Sequence, residues 1–246
     1  TVNYNRDVEI FPVLNAMFEK IQGTSPYKSP TDMGVNMAGF AIVDDDACQT
    51  ASRMEILRRY YAGLVDRAKG KCDESGVRKL EIVMQQAGVT PEICPAVQAS
   101  LDRAAETGAP AGAIVLPDGR VVTGKTSSLL GPSAATLLNA IKLLAGIDKE
   151  LDLLPASIIA PISDMKIRHL GHHNPRLHSD EVLIALSISA VTNPLAERVL
   201  KKLDDLRGSD AHFSVILSEE DSKLYKRLGI HVSCEPKYEV KKLYHK

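Results

Sequence analysis

The fold is decided by residues 108–146, which read GAPAGAIVLPDGRVVTGKTSSLLGPSAATLLNAIKLLAG. Two short apolar stretches, residues 111–116 and 120–123, flank Pro117-Asp118-Gly119, and this arrangement predicts a β-hairpin. After a polar loop, Pro132–Leu144 carries apolar residues at helical spacing and predicts an α-helix. The stretch therefore predicts a strand, a tight turn, a second strand, a loop and a helix.

This order of elements resembles the opening of a cytidine-deaminase-like domain. In such deaminases the helix begins with His-x-Glu or Cys-x-Glu, where His or Cys binds zinc and Glu transfers protons. Ser133 and Ala135 occupy those places here. A serine hydroxyl is a poor zinc ligand, and alanine has no group that carries a proton. The resemblance implies a three-layer α/β fold that lacks the usual zinc chemistry.

The chain after residue 146 continues to alternate strand and helix patterns, which is typical of an α/β sheet. An apolar run at 153–161 predicts a buried strand. Further strands are predicted at 212–217 and 230–234, and helices at 162–170, 179–191, 194–206 and 218–228.

The residues before 108 carry mainly helix signals. Helices are predicted at 8–21, 44–69 and 75–86, and a fourth begins after Thr90 with Pro91 at its first position. The overall expectation is α/β (α+β for the whole chain), with a helical subdomain at residues 1–105 and a deaminase-like α/β subdomain at 106–246.

Composition narrows the class of protein. The 246 residues are 44% hydrophobic and 25% charged, with a net charge of −1, so no global field attracts nucleic acid or anionic membrane. Aromatic residues make up 4% and Trp is absent, which argues against base-stacking surfaces. No apolar run approaches the ~20 residues of a membrane span. The four cysteines lie far apart without CxxC spacing, so we expect no zinc ribbon and a reducing, cytoplasmic setting.

Residues 119–126 satisfy the Walker A pattern, with Gly119, Gly124, Lys125 and Thr126 at its fixed places. A phosphate loop needs small residues between a strand and a helix, whereas the intervening valines favour a strand. The preferred interpretation is therefore the exit from a strand into a loop. An intermediate hypothesis keeps Lys125 and Thr126 as anion contacts at the sheet edge.

Four of the seven histidines lie within residues 169–178. His169, His172 and His178 form the hypothetical ligand set of a metal site, because neutral imidazole is a common ligand of zinc. The alternative is an anion site formed by Asn174, Arg176 and His178 at the start of a helix. The simplest interpretation is a solvated loop followed by a helix cap.

The loop at residues 25–34 offers Lys28 and Asp32, which are candidates for binding phosphate or for acid–base work. The alternative is an ordered loop that packs against its own subdomain. Spacing alone does not distinguish the two.

Five segments together resemble the bacterial family called domain of unknown function 1846, in its C-terminal half. They are VNYNRDVEIFPVLNAMFEKI (2–21), SPYKSPTDMGVNMAG (25–39), LPDGRVVTGKTSSLLG (116–131), NPRLHSDEVLIALSISAVTNP (174–194) and SCEPKYEVKKLYHK (233–246). The resemblance implies a helical subdomain followed by the deaminase-like one. It also implies a further nucleotide-binding α/β half before Thr1, which agrees with a start without Met. It implies no reaction and no catalytic residue.

Three functional hypotheses follow from the sequence. The first is an enzyme or sensor for a phosphorylated or nucleotide-like small molecule, which Lys28, Asp32, Lys125, Thr126 and Arg176 bind together with His178. The second is a non-catalytic module that assembles as a homo-oligomer, with residues 182–191 as core or interface. The third is a metal-dependent hydrolase that uses the histidine cluster. No cofactor is assigned.

Overall fold

The computed structural model describes residues 4–30, 32–33 and 44–239. The chain divides into two compact units, one of residues 1–93 and one of residues 94–246. We call them the helical unit and the α/β unit. The sequence places the boundary near residue 105, inside a helix whose contacts are with the sheet of the α/β unit.

The helical unit contains three long helices in its described part, α1 (Tyr4–Gln22), α2 (Asp45–Ala68) and α3 (Glu74–Gln86). Asp44 caps α2 and Asp73 caps α3, because each carboxylate accepts a backbone N–H from the first turn. Helix α3 packs against both α1 and α2. Helix α1 begins four residues earlier than residue 8, so Asp7 lies in its first turn instead of capping it.

The α/β unit contains six further helices among the described residues, and four strands. The helices are α4 (Pro95–Thr107), α5 (Pro132–Leu144), α6 (Ala156–Arg168), α7 (Ser179–Ser189), α8 (Pro194–Leu200) and α9 (Glu219–Arg227). The strands are β1 (Ala111–Val115), β2 (Val121–Lys125), β3 (Asp210–Phe213) and β4 (His231–Cys234). Single 3-10 turns occupy Pro91–Ile93 and Asp204–Leu206.

The four strands form one mixed sheet in the order β2-β1-β3-β4. Strand β1 is antiparallel to β2 and to β3, with Gly112 opposite Gly124 on one side and Phe213 on the other. Strands β3 and β4 are parallel. The hairpin turn has Gly119 at a φ of 84°, a conformation that glycine adopts without strain.

The main core lies on one face of the sheet. Ile114 and Phe213 from the strands pack there with Leu137, Leu186 and Tyr225 from α5, α7 and α9. Because side chains alternate along a strand, Ala111 and Ala113 point to the opposite face, and α4 packs against β1, β2 and β3. Helices therefore lie on both faces of the sheet.

Two sequence predictions were wrong. Residues 153–161 form no strand: helix α6 begins at Ala156 and runs through Pro161 to Arg168. An apolar run of this length does not distinguish a buried strand from a helix. The helix expected from Pro91 begins instead at Pro95, with Cys94 at the cap position, after one 3-10 turn.

Most other predicted elements are confirmed with shifted ends, and α5 matches its predicted bounds. None of the helices in the described ranges is long and apolar enough to cross a membrane. The last of the five family-like segments, residues 233–246, lies partly outside the described residues, which end at Glu239.

Candidate functional site

The first turns of α5 and α7 lie side by side in the α/β unit. The chains leading into them pair as a parallel bridge between Leu130 and Leu177. Leu177 donates its N–H to Leu129 O (2.9 Å) and accepts from Gly131 N (3.3 Å). Two helix N-termini, each the positive end of a helix dipole, are therefore neighbours.

Helix α9 contacts both of these helix starts with residues one turn apart. Asp221 accepts the backbone N–H of Ser179 at 2.8 Å, at the start of α7. Tyr225 donates its hydroxyl to the carbonyl oxygen of Ser133 at 2.8 Å, in the first turn of α5. Because Asp221 and Tyr225 share one face of α9, together they fix α9 against the first turns of α5 and α7.

His178 is the cap residue of α7, and its ring is held by Asp221. The distance from His178 Nδ1 to Asp221 Oδ2 is 3.1 Å, and Ser218 Oγ donates to the same oxygen at 3.0 Å. The Asp221 side chain is 6% exposed and that of His178 is 25% exposed. The carboxylate is thus buried behind an imidazole that reaches solvent.

The two groups shift each other's pKa. The hydrogen bond to Asp221 raises the pKa of His178, although partial burial opposes the charged form. Burial opposes the ionised form of Asp221 too, but hydrogen bonds from His178 and Ser179 outweigh it and lower the pKa of Asp221 to about 2. Asp221 is therefore a carboxylate at any physiological pH, and it favours the imidazolium of His178.

This geometry assigns roles to the two ring nitrogens of His178. With Nδ1–H donating to Asp221, neutral His178 presents the lone pair of Nε2 outward. Within the described ranges, Nε2 has no hydrogen-bond partner. A carboxylate that fixes the tautomer of a partly exposed imidazole is the arrangement that general acid–base catalysis requires.

A buried lysine fixes the loop that carries His178. Lys166 of α6 is 1% exposed, and its Nζ donates to Arg176 O at 2.7 Å and to Glu181 Oε2 at 2.6 Å. The same Glu181 oxygen accepts the backbone N–H of His178 at 2.8 Å. Lys166 and Glu181 therefore hold both ends of residues 176–178 in place.

Arg176 and Asn174 are both engaged by protein groups. Arg176 Nη1 donates to Glu239 Oε1 at 2.5 Å, and its side chain stays 35% exposed. Asn174 Oδ1 accepts the N–H of Arg176 at 3.1 Å, which closes a local turn. Arg176 is two residues from His178, so these two predicted residues lie in one short segment.

The histidine cluster is not brought together around a metal. Among the residues that the structure describes, no group of three or more His, Cys, Asp or Glu side chains could hold an ion. His169 ends α6, His172 is exposed, and His178 is bound to Asp221. The geometry thus offers no support for the metal hypothesis.

Lys125 and Thr126 lie at the end of β2, where the strand passes into the loop before α5. Lys125 is exposed, and Thr126 donates its N–H to Pro110 O at 2.7 Å. Residues 119–125 form the hairpin turn and a strand, and α5 begins only at Pro132, so this is no phosphate loop. No hydrogen bond within the described part joins either residue to His178.

Lys28 and Asp32 belong to the helical unit. Asp32 is 4% exposed, and its carboxylate accepts the backbone N–H of Lys28 at 2.8 Å. Ser29 Oγ accepts the N–H of Asp32 in return, at 3.0 Å. Asp32 shapes the loop, whereas Lys28 lines a cleft in the same unit.

Ser133 and Ala135 stand in the first turn of α5, where the deaminase resemblance places them. Ser133 is 1% exposed, and Ala135 is partly exposed. These side chains do not fit a zinc ion, since neither supplies the nitrogen, thiolate or carboxylate ligands that zinc takes in proteins. No step of deaminase chemistry is assigned to them.

A second histidine that lies next to a carboxylate is found in the sheet. His212 on β3 is fully buried, with Nδ1 2.8 Å from Ser233 Oγ and Nε2 3.4 Å from Glu235 Oε1. The interaction with His212 lowers the pKa of Glu235. Because the His212 ring has no contact with solvent, we assign it to joining β3 and β4, and His178 remains the reactive candidate.

Sequence reasoning missed Asp221, Lys166 and Glu181. Asp221 is 43 residues from His178 in the sequence. Its position three residues after Ser218 is typical of the first turn of a capped helix and does not indicate a contact with His178. Glu181 accepts the backbone N–H of His178, which is half of a capping box, but histidine is not among the usual cap residues. The partners of His178 therefore became visible only in the tertiary structure.

Comparison with known proteins gives consistent matches along the chain. Residues 92–244 match the family described as domain of unknown function DUF1846, C-terminal, and residues 1–88 match its N-terminal counterpart. The UPF0371 protein stu1377 of Streptococcus thermophilus is 53% identical over 246 residues. The UPF0371 protein SpyM50764 of Streptococcus pyogenes serotype M5 is 52% identical over 245 residues. Both alignments cover 100% of this chain and 50% of the relative, so the chain spans about half the length of these curated relatives.

Proposed function

The chain belongs to the DUF1846 family, whose name assigns no reaction, and from that premise we propose a function for the α/β unit. The unit binds an anionic, phosphorylated small molecule at the start of α7, and His178 transfers a proton or donates a charged hydrogen bond to it. The protein is thus an enzyme or a sensor of that molecule. The observation that carries the proposal is the His178–Asp221 pair.

The pair supports acid–base work because it combines a partly exposed imidazole with a buried carboxylate of fixed charge. Neutral His178 accepts a proton at Nε2, and the imidazolium returns it from the same atom. Asp221 stabilises the imidazolium and holds the ring in one orientation. Its own pKa of about 2 keeps it from taking the proton itself.

Three features near His178 favour an anion. The N-terminus of α7 supplies the positive end of the helix dipole, although the carboxylates of Asp221 and Asp180 already accept the N–H groups of Ser179 and Glu181. The imidazolium adds one positive charge when protonated. Arg176 adds a guanidinium with five N–H donors, of which Glu239 takes one in this structure. An anion at Arg176 shares the guanidinium with Glu239 or displaces that carboxylate.

The proposal is tested by calorimetry on the full chain with inorganic phosphate, ribose 5-phosphate and adenosine 5′-monophosphate. We expect at least one phosphate ester to bind, and His178→Gln to weaken it about tenfold or more, since a charge-assisted hydrogen bond contributes about 1.5–3 kcal/mol. His173→Gln, at an exposed histidine of the same loop, is the matched control. Equal affinity of wild type and His178→Gln for every bound probe, or no binding at all, contradicts the proposal.

A second candidate function is supported by a different observation. Ile184, Ile188 and Val191 are 58%, 57% and 83% exposed, and their spacing places them along one side of α7 and its end. An exposed apolar stripe of this kind is typical of an interface. We therefore propose that the protein also assembles as a homo-oligomer through this stripe.

We also propose that the α/β unit has the three-layer, cytidine-deaminase-like arrangement without its zinc chemistry. The support is the hairpin of β1 and β2, the helix that follows it, and the presence of helices on both faces of the sheet.

All four cysteines are free thiols, which supports a reducing compartment such as the cytoplasm.

A further inference from the structure

The helical unit contains an open cleft that the function proposed above does not use. The cleft lies between α1, the loop after it, the first turns of α2 and the end of α3. Its volume is about 700 Å³, within the range of small-molecule sites. All of its described lining residues belong to the helical unit.

Part of the lining of the cleft is apolar and aromatic. It includes Phe11 and Pro12 of α1 and Ile56 of α2, and Ile56 is only 4% exposed. Tyr27 lines the same region, and its ring packs edge-on against Phe18 with centroids 5.9 Å apart. This packing holds the Tyr27 ring in place and gives the cleft a firm surface for a flat apolar group.

The other lining groups are polar and carry an excess of positive charge. Lys28 and Arg53 supply two cations, and Glu19 is the single carboxylate among the described lining residues. Arg53 Nη2 donates to Gly88 O at 3.0 Å, which fixes the guanidinium while other N–H groups remain for a ligand. Gln49 also lines the cleft, and its side-chain amide donates to the carbonyl oxygen of Lys28 at 3.3 Å.

The Glu19 carboxylate is engaged on its own helix. Asn15 Nδ2 donates to Glu19 Oε1 at 2.9 Å, four residues apart on α1. Two cations and one partly satisfied carboxylate among the described lining residues make the cleft electrostatically suited to an anion. The aromatic residues suit a ring system, so the lining as a whole matches one amphipathic ligand.

We propose that this cleft is a second small-molecule site, which binds an aromatic ring carrying a phosphate or a comparable anionic group, as in a nucleoside monophosphate. The ring packs against Phe11 and Tyr27. The anionic group lies near Lys28 and Arg53, within reach of the Gln49 amide. The described lining of the cleft includes no residue of the α/β unit, and the proposal stands whether or not the one for the α/β unit holds.

The experiment measures binding of adenosine 5′-monophosphate, adenosine and inorganic phosphate to the full chain by calorimetry. We expect the monophosphate to bind more tightly than either part alone. Arg53→Gln removes one cation and Gln49→Glu adds a negative charge, and each is expected to weaken monophosphate binding about tenfold or more. Arg78→Gln, at an arginine of α3 that is outside the cleft, is the matched control and is expected to bind like wild type.

His178→Gln distinguishes this proposal from the one for the α/β unit. If the cleft is the site, monophosphate binding survives His178→Gln and is lost in the two cleft variants. If binding is lost in His178→Gln and retained in both cleft variants, the ligand lies in the α/β unit and the cleft proposal is overturned. No binding of the monophosphate at millimolar concentration overturns it as well. Far-UV circular dichroism verifies that each variant is folded.

Discussion

At the scale of single residues, one contact between His178 and Asp221 supports both the packing of the α/β unit and the chemistry proposed for His178. Asp221 holds the imidazole at 3.1 Å and also binds the backbone N–H of Ser179 at 2.8 Å. The pair therefore joins α9 to the first turn of α7 while leaving Nε2 of His178 accessible. Losing either partner is expected to affect folding and ligand binding together.

This contact makes the stability of the α/β unit depend on pH. Because Asp221 raises the pKa of His178, the imidazolium stabilises the fold fully below the ordinary value of 6.5, and this contribution is lost as pH rises through the raised value. His178→Gln is expected to lower the free energy of unfolding by about 1 kcal/mol at pH 5.5 and by less at pH 9. Denaturant unfolding of the wild type and of His178→Gln across this pH range measures the difference in their free energies of unfolding. A difference that stays constant or grows with pH would contradict the assignment.

The pH dependence of stability that arises from Asp221 lies outside the physiological pH range. Its lowered pKa means that the ionised carboxylate stabilises the fold above its ordinary value of 3.8, and that this contribution is lost as pH falls toward 2. The pH dependence of the pair near neutrality therefore belongs to His178.

At the scale of elements, the hairpin and α5 approach each other closely because two glycines lie between them. Gly124 of β2 is opposite Gly112 of β1, and both lie beside Thr136 of α5. A Cβ at Gly124 would lie 2.6 Å from Thr136 Cα and 2.7 Å from Ala135 C, both of which are backbone atoms. The helix would have to move away from the sheet to accommodate it.

Gly124→Ala is therefore expected to cost about 3 kcal/mol of stability, because backbone cannot yield as a flexible side chain does. Gly131→Ala is the matched control: its φ is −70° and its nearest neighbour would be 3.9 Å away, so the cost is expected to stay below about 0.5 kcal/mol. Thermal or urea unfolding of both variants provides the comparison. A similar loss of stability in Gly124→Ala and Gly131→Ala would show that Gly124 is not needed for the close packing of α5 on β2.

At the scale of the whole molecule, each unit has buried apolar residues of its own. In the helical unit Ile56, Leu57 and Val77 are buried, and in the α/β unit one cluster extends from Ile114 to Ile230. Apolar residues also remain at the surface, including the stripe of Ile184, Ile188 and Val191. Burial of such a stripe against a second copy is the simplest way to remove it from water.

The assembly proposal predicts that the wild-type chain sediments as a dimer or larger species at micromolar concentration. Ile188→Glu places a charge in the stripe and is expected to shift the protein to a monomer without unfolding it. Ile21→Glu, at a residue of α1 that is 74% exposed, tests whether any added charge has this effect. A wild-type monomer at every concentration, or equal behaviour of the two variants, would argue against the interface.

Features that depend on neighbouring residues could be predicted from the amino-acid sequence. Pro117-Asp118-Gly119 between apolar stretches predicted the hairpin, and the proline start and apolar spacing predicted α5 to its bounds. Family membership was also readable, because segments spread along the chain carry it. The choice between strand and helix at 153–161 could not be made from the sequence. A short apolar run is compatible with either structure, and packing decides between them.

Tertiary structure alone decided which residues meet. His178 and Arg176 were identifiable as candidates, but Asp221, which fixes the ring of His178, and Lys166, which fixes its loop, were not. It also decided that α4 belongs with the sheet and that Lys28 lines a cleft with Arg53. Local patterns encode turns, caps and helices, whereas contacts between residues tens of positions apart depend on how whole elements pack, and no short stretch of sequence contains that information.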